Sequence, residues 1–154
     1  LMQSVNYDGL GRLDDDFKNL LDEMPEMRKD LHEHIAEAIK DEVDAQIAGS
    51  GINDSNGHVK DWQEAHVGSG GGYAAVRPVK GSTGDNSPGA ITNYLENGHR
   101  IREPSGQSKN YRPHIKKPYV DGYHFYQSAS AEVEAKVITI AEEFAEEIGR
   151  KLEG

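Results

Sequence analysis

Apolar residues recur at three- and four-residue intervals near the N-terminus, and this spacing predicts amphipathic helices. The first run predicts a helix over about residues 10–23 and consists of Leu10, Leu13, Phe17, Leu20, Leu21 and Met24. Pro25 follows. Because proline is tolerated in a first turn but not inside a helix, either a second helix begins there or one helix kinks. The next run has a spacing of four and consists of Met27, Leu31, Ile35, Ile39, Val43 and Ile47. Such a stripe winds around the helix, so its partner must cross at an angle or more than one partner must cover it.

The C-terminal part shows the same kind of pattern. From Tyr123 onward the apolar stripe consists of Tyr126, Ala129, Val133, Val137, Ile140, Phe144, Ile148 and Leu152. Acidic residues in the same segment predict a solvent-exposed face on the helix. They are Glu142, Glu143, Glu146 and Glu147. A short helix is expected near residues 88–96, since Pro88 suits a helix start and Asn97-Gly98 suits a helix end.

The chain between the helices is polar and rich in glycine. Residues 59–67 and 73–79 predict two strands, and the run Gly68-Ser69-Gly70-Gly71-Gly72 between them predicts the turn of a β-hairpin. The predicted fold is therefore α+β, with an N-terminal helical pair, a small and mostly antiparallel sheet with a hairpin, a short helix and a long C-terminal helix. We expect one domain over residues 1–154, a flexible segment at 1–8, and mobile loops at 68–72, 80–87 and 103–118.

Charge is distributed unevenly along the chain. The net charge of −10 argues against binding nucleic acid through a broad basic surface, because phosphate contacts supply most of that affinity. Residues 1–57 hold fourteen acidic and five basic residues, whereas residues 100–117 hold six basic residues and one acidic residue. Two interpretations stay open: a solvated loop with a local excess of charge, or a contact with an acidic neighbour such as the helices of an identical subunit.

Two further features of the sequence narrow the class of protein. The chain has no cysteine, which excludes disulfides, thiol catalysis and thiolate metal sites. No apolar run approaches the roughly 20 residues that span a bilayer, so we expect no membrane contact.

The histidines and serines do not form a recognisable catalytic motif. His32 and His34 are two positions apart on a predicted helix and point away from each other, and Ala36 stands where a His-Glu-x-x-His motif needs its second histidine. The other histidines are His58, His66, His99, His114 and His124. No serine lies in a nucleophile elbow, and no phosphate-binding P-loop is present. We therefore predict no catalytic residue, no metal and no cofactor.

Glu96 and the aromatic residues after Pro118 are better candidates for structural or interface roles. The Glu96 carboxylate could hold the turn that carries His99 and Arg100 through a charge-assisted hydrogen bond. Phe125 is expected in the core, while Tyr119, Tyr123 and Tyr126 are open between core and interface. The predicted protein-interface residues are Glu96, His99, Arg100, Arg102, Arg112, Lys116 and Lys117.

A series of short motifs gives the chain a family likeness. In order they are Gly57-His58-Val59 with Trp62, Tyr73 with Val76, Tyr94-Leu95-Glu96-Asn97-Gly98-His99-Arg100, and Gly122-Tyr123-His124-Phe125. This order resembles the tail-component family of long-tailed bacteriophages and prophages, which includes head–tail joining and tail-completion proteins. The likeness extends over about residues 9–152.

The resemblance implies a non-enzymatic virion protein at the head–tail junction or tail end, assembled in the host cytoplasm. Its expected partners are copies of itself in a ring, with six as one size, together with tail-tube and head-connector proteins. Genomic DNA would pass nearby without being specifically bound. Two other functions are kept as alternatives: a histidine-dependent metal hydrolase, and a small acidic regulatory or inhibitor module.

Overall fold

The first helix passes through Pro25 without ending. The computed structural model describes residues 8–101 and 118–153, apart from the side chains of 8–14, 16, 17 and 21. In it α1 extends over Asp8–Gly49 with Pro25 inside, so one continuous helix replaces the predicted N-terminal pair. Pro25 is exposed, and the burial of Leu20 and Met27 on either side of it continues one apolar stripe across the proline.

The first half of the predicted strand 59–67 is helical instead. α2 is the single turn His58–Asp61, and β1 follows it at Gln63–Val67. The Asp54 carboxylate accepts hydrogen bonds from the backbone N–H groups of Val59 at 2.9 Å and Lys60 at 3.2 Å. These bonds satisfy donors at the start of a helical turn, and they outweigh the β-propensity of Val59 and Trp62.

The predicted hairpin is present. β1 pairs with β2, which is Ala74–Pro78. Gly68 N donates to the carbonyl oxygen of Tyr73 at 2.8 Å, and Val79 N donates to that of Trp62 at 2.7 Å, which is antiparallel pairing. The glycine-rich connection contains one 3₁₀ turn, α3, at Ser69–Gly71, which was not predicted.

The remaining elements are two helices that the sequence predicted and two short strands that were not predicted at these positions. α4 is Pro88–Asn97, β3 is Gly98–Arg100, β4 is Tyr119–Asp121, and α5 is Phe125–Glu153. β3 and β4 form a second two-stranded antiparallel sheet in which Gly98 is opposite Asp121 and Arg100 is opposite Tyr119. The fold class is α+β, as predicted, and the structure shows that helices dominate it.

The chain divides into two compact units, and both α1 and α5 contribute to each. The first unit comprises Leu1–Ile39, Ala65–Val76 and Val133–Gly154. Its buried apolar residues are Leu20, Met27, Ala36 and Val133. A Cβ on Gly71 would lie 2.9 Å from the Cα of Lys29, so the hairpin turn packs directly on the α1 backbone. Lys151 on α5 also forms an ion pair with Glu23 on α1.

The second unit comprises Lys40–Glu64 and Arg77–Glu132. Its buried apolar residues are Val43, Ile47, Val59, Phe125 and Ala129. Phe125 is 1% exposed, which confirms its predicted place in the core. This unit also holds three buried polar side chains, and these define the candidate site.

Candidate functional site

α4 is fixed at both ends by local residues, of which the sequence indicated Pro88 and Gly98 but not the cap at Ser87. The Ser87 hydroxyl accepts a hydrogen bond from Ala90 N at 3.2 Å, and Pro88 occupies the first turn. The helix ends at Gly98, whose φ of +79° is unfavourable for any residue with a side chain. The chain then turns directly into β3.

The two longest motifs of the sequence, residues 94–100 and 122–125, lie against each other. Tyr123 N donates to the carbonyl oxygen of Leu95 at 2.7 Å, and His124 N donates to that of Glu96 at 3.1 Å. The Tyr119 hydroxyl donates to the carbonyl oxygen of Asn97 at 2.7 Å. Residues 94–100 and 119–127 are called the two-motif cluster below.

Two glycines allow this close approach. A Cβ on Gly122 would lie 2.1 Å from the carbonyl oxygen of Glu96, and one on Gly98 would lie 2.3 Å from that of Val120. Both distances are far shorter than any real carbon–oxygen contact, and both neighbours are backbone atoms. A side chain at either position would therefore push the two segments apart.

Glu96 caps the N-terminus of α5 from a distance of thirty residues along the chain. Its Oε2 accepts a hydrogen bond from Tyr126 N at 2.8 Å, and its Oε1 accepts one from Gln127 N at 3.2 Å. The side chain is 8% exposed. A carboxylate here satisfies two otherwise unpaired N–H groups and complements the positive end of the helix dipole.

A second set of hydrogen bonds lies behind Glu96. Gln63 is 2% exposed, and its Nε2 donates to the carbonyl oxygen of Val59 and to Thr92 Oγ1, each at 3.1 Å. The Tyr126 hydroxyl donates to Gln63 Oε1. Burial raises the pKa of the Tyr126 hydroxyl well above its usual value, and the nearby Glu96 carboxylate raises that pKa further.

Within the described residues, every buried side-chain nitrogen or oxygen has a hydrogen-bond partner. The polar groups of Gln63, Thr92, Glu96 and Tyr126 bond to one another or to backbone, so they fix the positions of α2, α4 and α5. The Glu96 carboxylate therefore binds the N-terminus of α5, whereas the sequence had suggested that it holds the turn at His99 and Arg100. A single sequence gives no signal for a cap thirty residues away.

The predicted interface residues lie in different environments. His99 and Arg100 are exposed on β3, and the ring of His99 is 5.3 Å from that of Tyr94. Glu96 is buried in the two-motif cluster. The other four lie outside the described residues and are Arg102, Arg112, Lys116 and Lys117.

Three exposed apolar residues lie on and beside β4, and the sequence analysis had not grouped them as one surface. Tyr119 is 48% exposed, Val120 is 41% exposed and Tyr123 is 44% exposed. Tyrosine is common in protein–protein interfaces because it combines a large apolar area with a hydroxyl. Of the tyrosines left open above, Tyr126 lies against the core and Tyr119 and Tyr123 face solvent.

The described part of the chain holds no cluster of side chains with metal-binding geometry. Among the side chains that the structure describes, no three from histidine, aspartate or glutamate are placed to hold an ion together. In the same part of the chain no helix combines the length and apolar character required to cross a membrane.

An open groove of about 680 Å³ lies beside the start of α4. Its lining includes Arg77, Lys80, Ser82, Thr83 and Ser87. The Ser87 hydroxyl is already used as the helix cap. The groove thus has hydroxyl and basic groups at an open surface.

Comparison with known proteins adds no identification: no family model, no curated protein and no solved structure matches this chain.

Proposed function

We propose that this protein is a structural component of a long-tailed phage or prophage particle, at the head–tail junction or tail end. It acts through self-assembly into a ring and through contacts with tail-tube and head-connector proteins. It makes and breaks no covalent bond, and genomic DNA passes it without specific binding. Its place is the virion neck or tail, after assembly in the host cytoplasm.

The two-motif cluster is the observation that carries this proposal. The motifs that resemble phage tail components include Glu96, Gly98 and Gly122. These residues cap α5 and permit the closest backbone approaches between the motifs. The likeness therefore falls on positions that have demanding steric and hydrogen-bonding requirements in this fold.

The surface of the cluster supports contact with other polypeptides. Three large apolar side chains are exposed within residues 119–123, and Arg100 is exposed opposite Tyr119 in the sheet. Arginine and tyrosine are enriched among residues that dominate binding energy in protein interfaces. The buried polar residues of the same cluster are occupied in holding its elements together.

An in vitro joining assay tests the proposal directly. Heads and tails are prepared from a phage or induced prophage whose gene for this protein is deleted, and purified protein is added. We expect added wild-type protein to produce joined or tail-complete particles, visible by negative-stain electron microscopy, and to co-sediment with tails. Particles that remain unjoined, with the protein left in the supernatant, would contradict the proposal.

A charge-reversal variant locates the active surface in that assay. Arg100→Glu with Arg102→Glu reverses the start of the basic segment, and we expect it to abolish joining while leaving the circular dichroism spectrum unchanged. Lys80→Glu with Lys136→Glu, at two exposed positions, is a control with the same change in net charge. Equal activity of the first variant and wild type would remove the basic segment from the joining surface.

A further inference from the structure

α5 presents a second apolar face in addition to the stripe that packs inside the chain. Ile138 is 51% exposed, and Ala135 and Ala141 beside it are also exposed. Ile138 is five residues from the buried Val133, which places the two side chains about 140° apart around the helix. Ile138 therefore does not lie at the edge of the apolar stripe that packs inside the chain.

Carboxylates flank this apolar face at both ends. Glu134 and Glu142 are each four positions from Ile138, so all three side chains lie on one side of the helix, and both glutamates are exposed. Residues 134, 135, 138, 141 and 142 are called the Ile138 face. It offers a partner one large aliphatic side chain, two small neighbours and two negative charges about 12 Å apart along the axis.

The β3–β4 sheet presents an exposed arginine beside an exposed aromatic ring. Arg100 is opposite Tyr119, and side chains of directly paired residues lie on the same face of a sheet. Both are exposed. Asp121 on β4 adds one carboxylate beside Tyr119. By sequence, residues 100–117 begin with this arginine and hold six basic residues and one acidic residue. Arg100 and Tyr119 together are called the Arg100 face.

We propose that the Arg100 face of one copy docks on the Ile138 face of a second copy of this chain. The arginine lies between carboxylates, and the tyrosine ring covers the isoleucine. Charge complementarity favours a second copy as the occupant, because the one strongly basic segment of the sequence and an acidic, apolar helix face occur on the same polypeptide.

This inference rests on the proposed function, since it assigns surfaces to the self-assembly. The two faces differ, so the contact is heterologous, and repetition of such a contact produces a ring when the rotation closes.

Reciprocal charge reversal tests the pairing of the two faces. In a preparation of Arg100→Glu alone, the new glutamate of one copy meets Glu134 and Glu142 of the next. In a preparation of Glu134→Arg with Glu142→Arg alone, Arg100 of one copy meets the two new arginines of the next. Each variant alone is expected to weaken self-association at least about tenfold, measured by sedimentation velocity over a range of concentrations. An equimolar mixture is expected to restore association. In that mixture the glutamate introduced by Arg100→Glu can face an arginine-bearing helix, and the unchanged Arg100 of the other variant can face a wild-type helix.

Matched controls separate this pairing from a general effect of charge. Lys80→Glu makes the same change in net charge as Arg100→Glu at an exposed position on a loop. Glu132→Arg with Glu143→Arg places two exposed reversals more than 100° around α5 from Ile138. Both are expected to associate as wild type does.

The outcomes distinguish this inference from the proposed function. Wild-type protein that self-associates while the test variants associate equally well, or a mixture that fails to recover, would overturn the pairing and leave the joining assay to decide the function. Wild-type protein that stays monomeric yet joins heads to tails would also overturn the pairing. Loss of joining by the Arg100→Glu, Arg102→Glu variant would then assign the Arg100 face to a contact with another virion protein.

Discussion

The Glu96 side chain links α4 to α5, because its two carboxylate oxygens accept hydrogen bonds from N–H groups in the first turn of α5. We expect Glu96→Gln to destabilise the protein by about 1–2 kcal/mol, since the amide keeps the shape but offers one acceptor oxygen and no negative charge. Urea denaturation followed by circular dichroism measures this change.

Glu143→Gln is the control for that experiment. Glu143 is exposed on α5 and should change the unfolding free energy by no more than about 0.5 kcal/mol. If the two variants were equally stable, Glu96 would not act as a cap in solution.

Tyr126 gives the stability of the protein a dependence on alkaline pH. Its pKa is raised in the folded state by burial first and by Glu96 second, so the folded protein retains the phenolic proton above about pH 10, where an unfolded chain releases it. The stabilisation linked to this proton is complete below about pH 10 and is lost as the pH rises toward the folded-state pKa.

Tyr126→Phe removes both the titrating group and its hydrogen bond to Gln63. At neutral pH we expect a loss of about 1–2 kcal/mol, because Gln63 Oε1 is left without its partner. Above about pH 10 the unfolding free energy of the variant should fall less steeply than that of wild type. Parallel pH profiles for the two proteins would show that Tyr126 is not protected from ionisation.

At the scale of secondary structure, the approach of the two motifs depends on glycine. Gly122→Ala should cost at least about 2 kcal/mol, because the new methyl group would overlap the carbonyl oxygen of Glu96 and force backbone to move. Gly149→Ala on α5 meets no atom within 4 Å and should raise stability by about 0.5–1 kcal/mol. In thermal unfolding, we expect a lower midpoint temperature for Gly122→Ala and a higher one for Gly149→Ala than for wild type. A Gly122→Ala protein as stable as wild type would contradict the tight packing of the cluster.

The elements that could be predicted from sequence are those that local pattern determines. α4 has a serine cap, a proline in its first turn and a glycine at its end, and α5 has an unbroken apolar stripe. Two local predictions differ from the structure. Pro25 lies inside α1, where the apolar residues on either side continue one stripe, and Val59 lies in a helical turn because Asp54 caps it.

The contacts of the candidate site could not be predicted in the same way. The Glu96 cap joins residues thirty positions apart, and the bond between Tyr126 and Gln63 joins residues sixty-three apart. Hydrophobic periodicity describes one element at a time and carries no information about which polar side chain meets which helix end. The sequence analysis named the motif residues for a family likeness, and their roles in holding the cluster together appear only in three dimensions.

For the whole molecule, the net charge of −10 opposes self-assembly, while the pairing of the Arg100 and Ile138 faces favours it. The two effects respond oppositely to salt. Screening shortens the range of charge interactions to about 10 Å at 0.1 M and about 3 Å at 1 M salt. If repulsion between acidic chains dominated, added sodium chloride would strengthen association.

We expect the opposite response, because the proposed contact brings Arg100 within a few ångströms of two carboxylates while most acidic residues of neighbouring copies stay farther apart. Association measured by sedimentation velocity should therefore weaken as sodium chloride is raised from about 0.05 to about 0.5 M. Sodium sulfate at the same ionic strength should weaken it less, since sulfate strengthens the apolar contact between Tyr119 and Ile138. Association that grows steadily with sodium chloride would show that repulsion governs the assembly and that the two faces do not pair through charge.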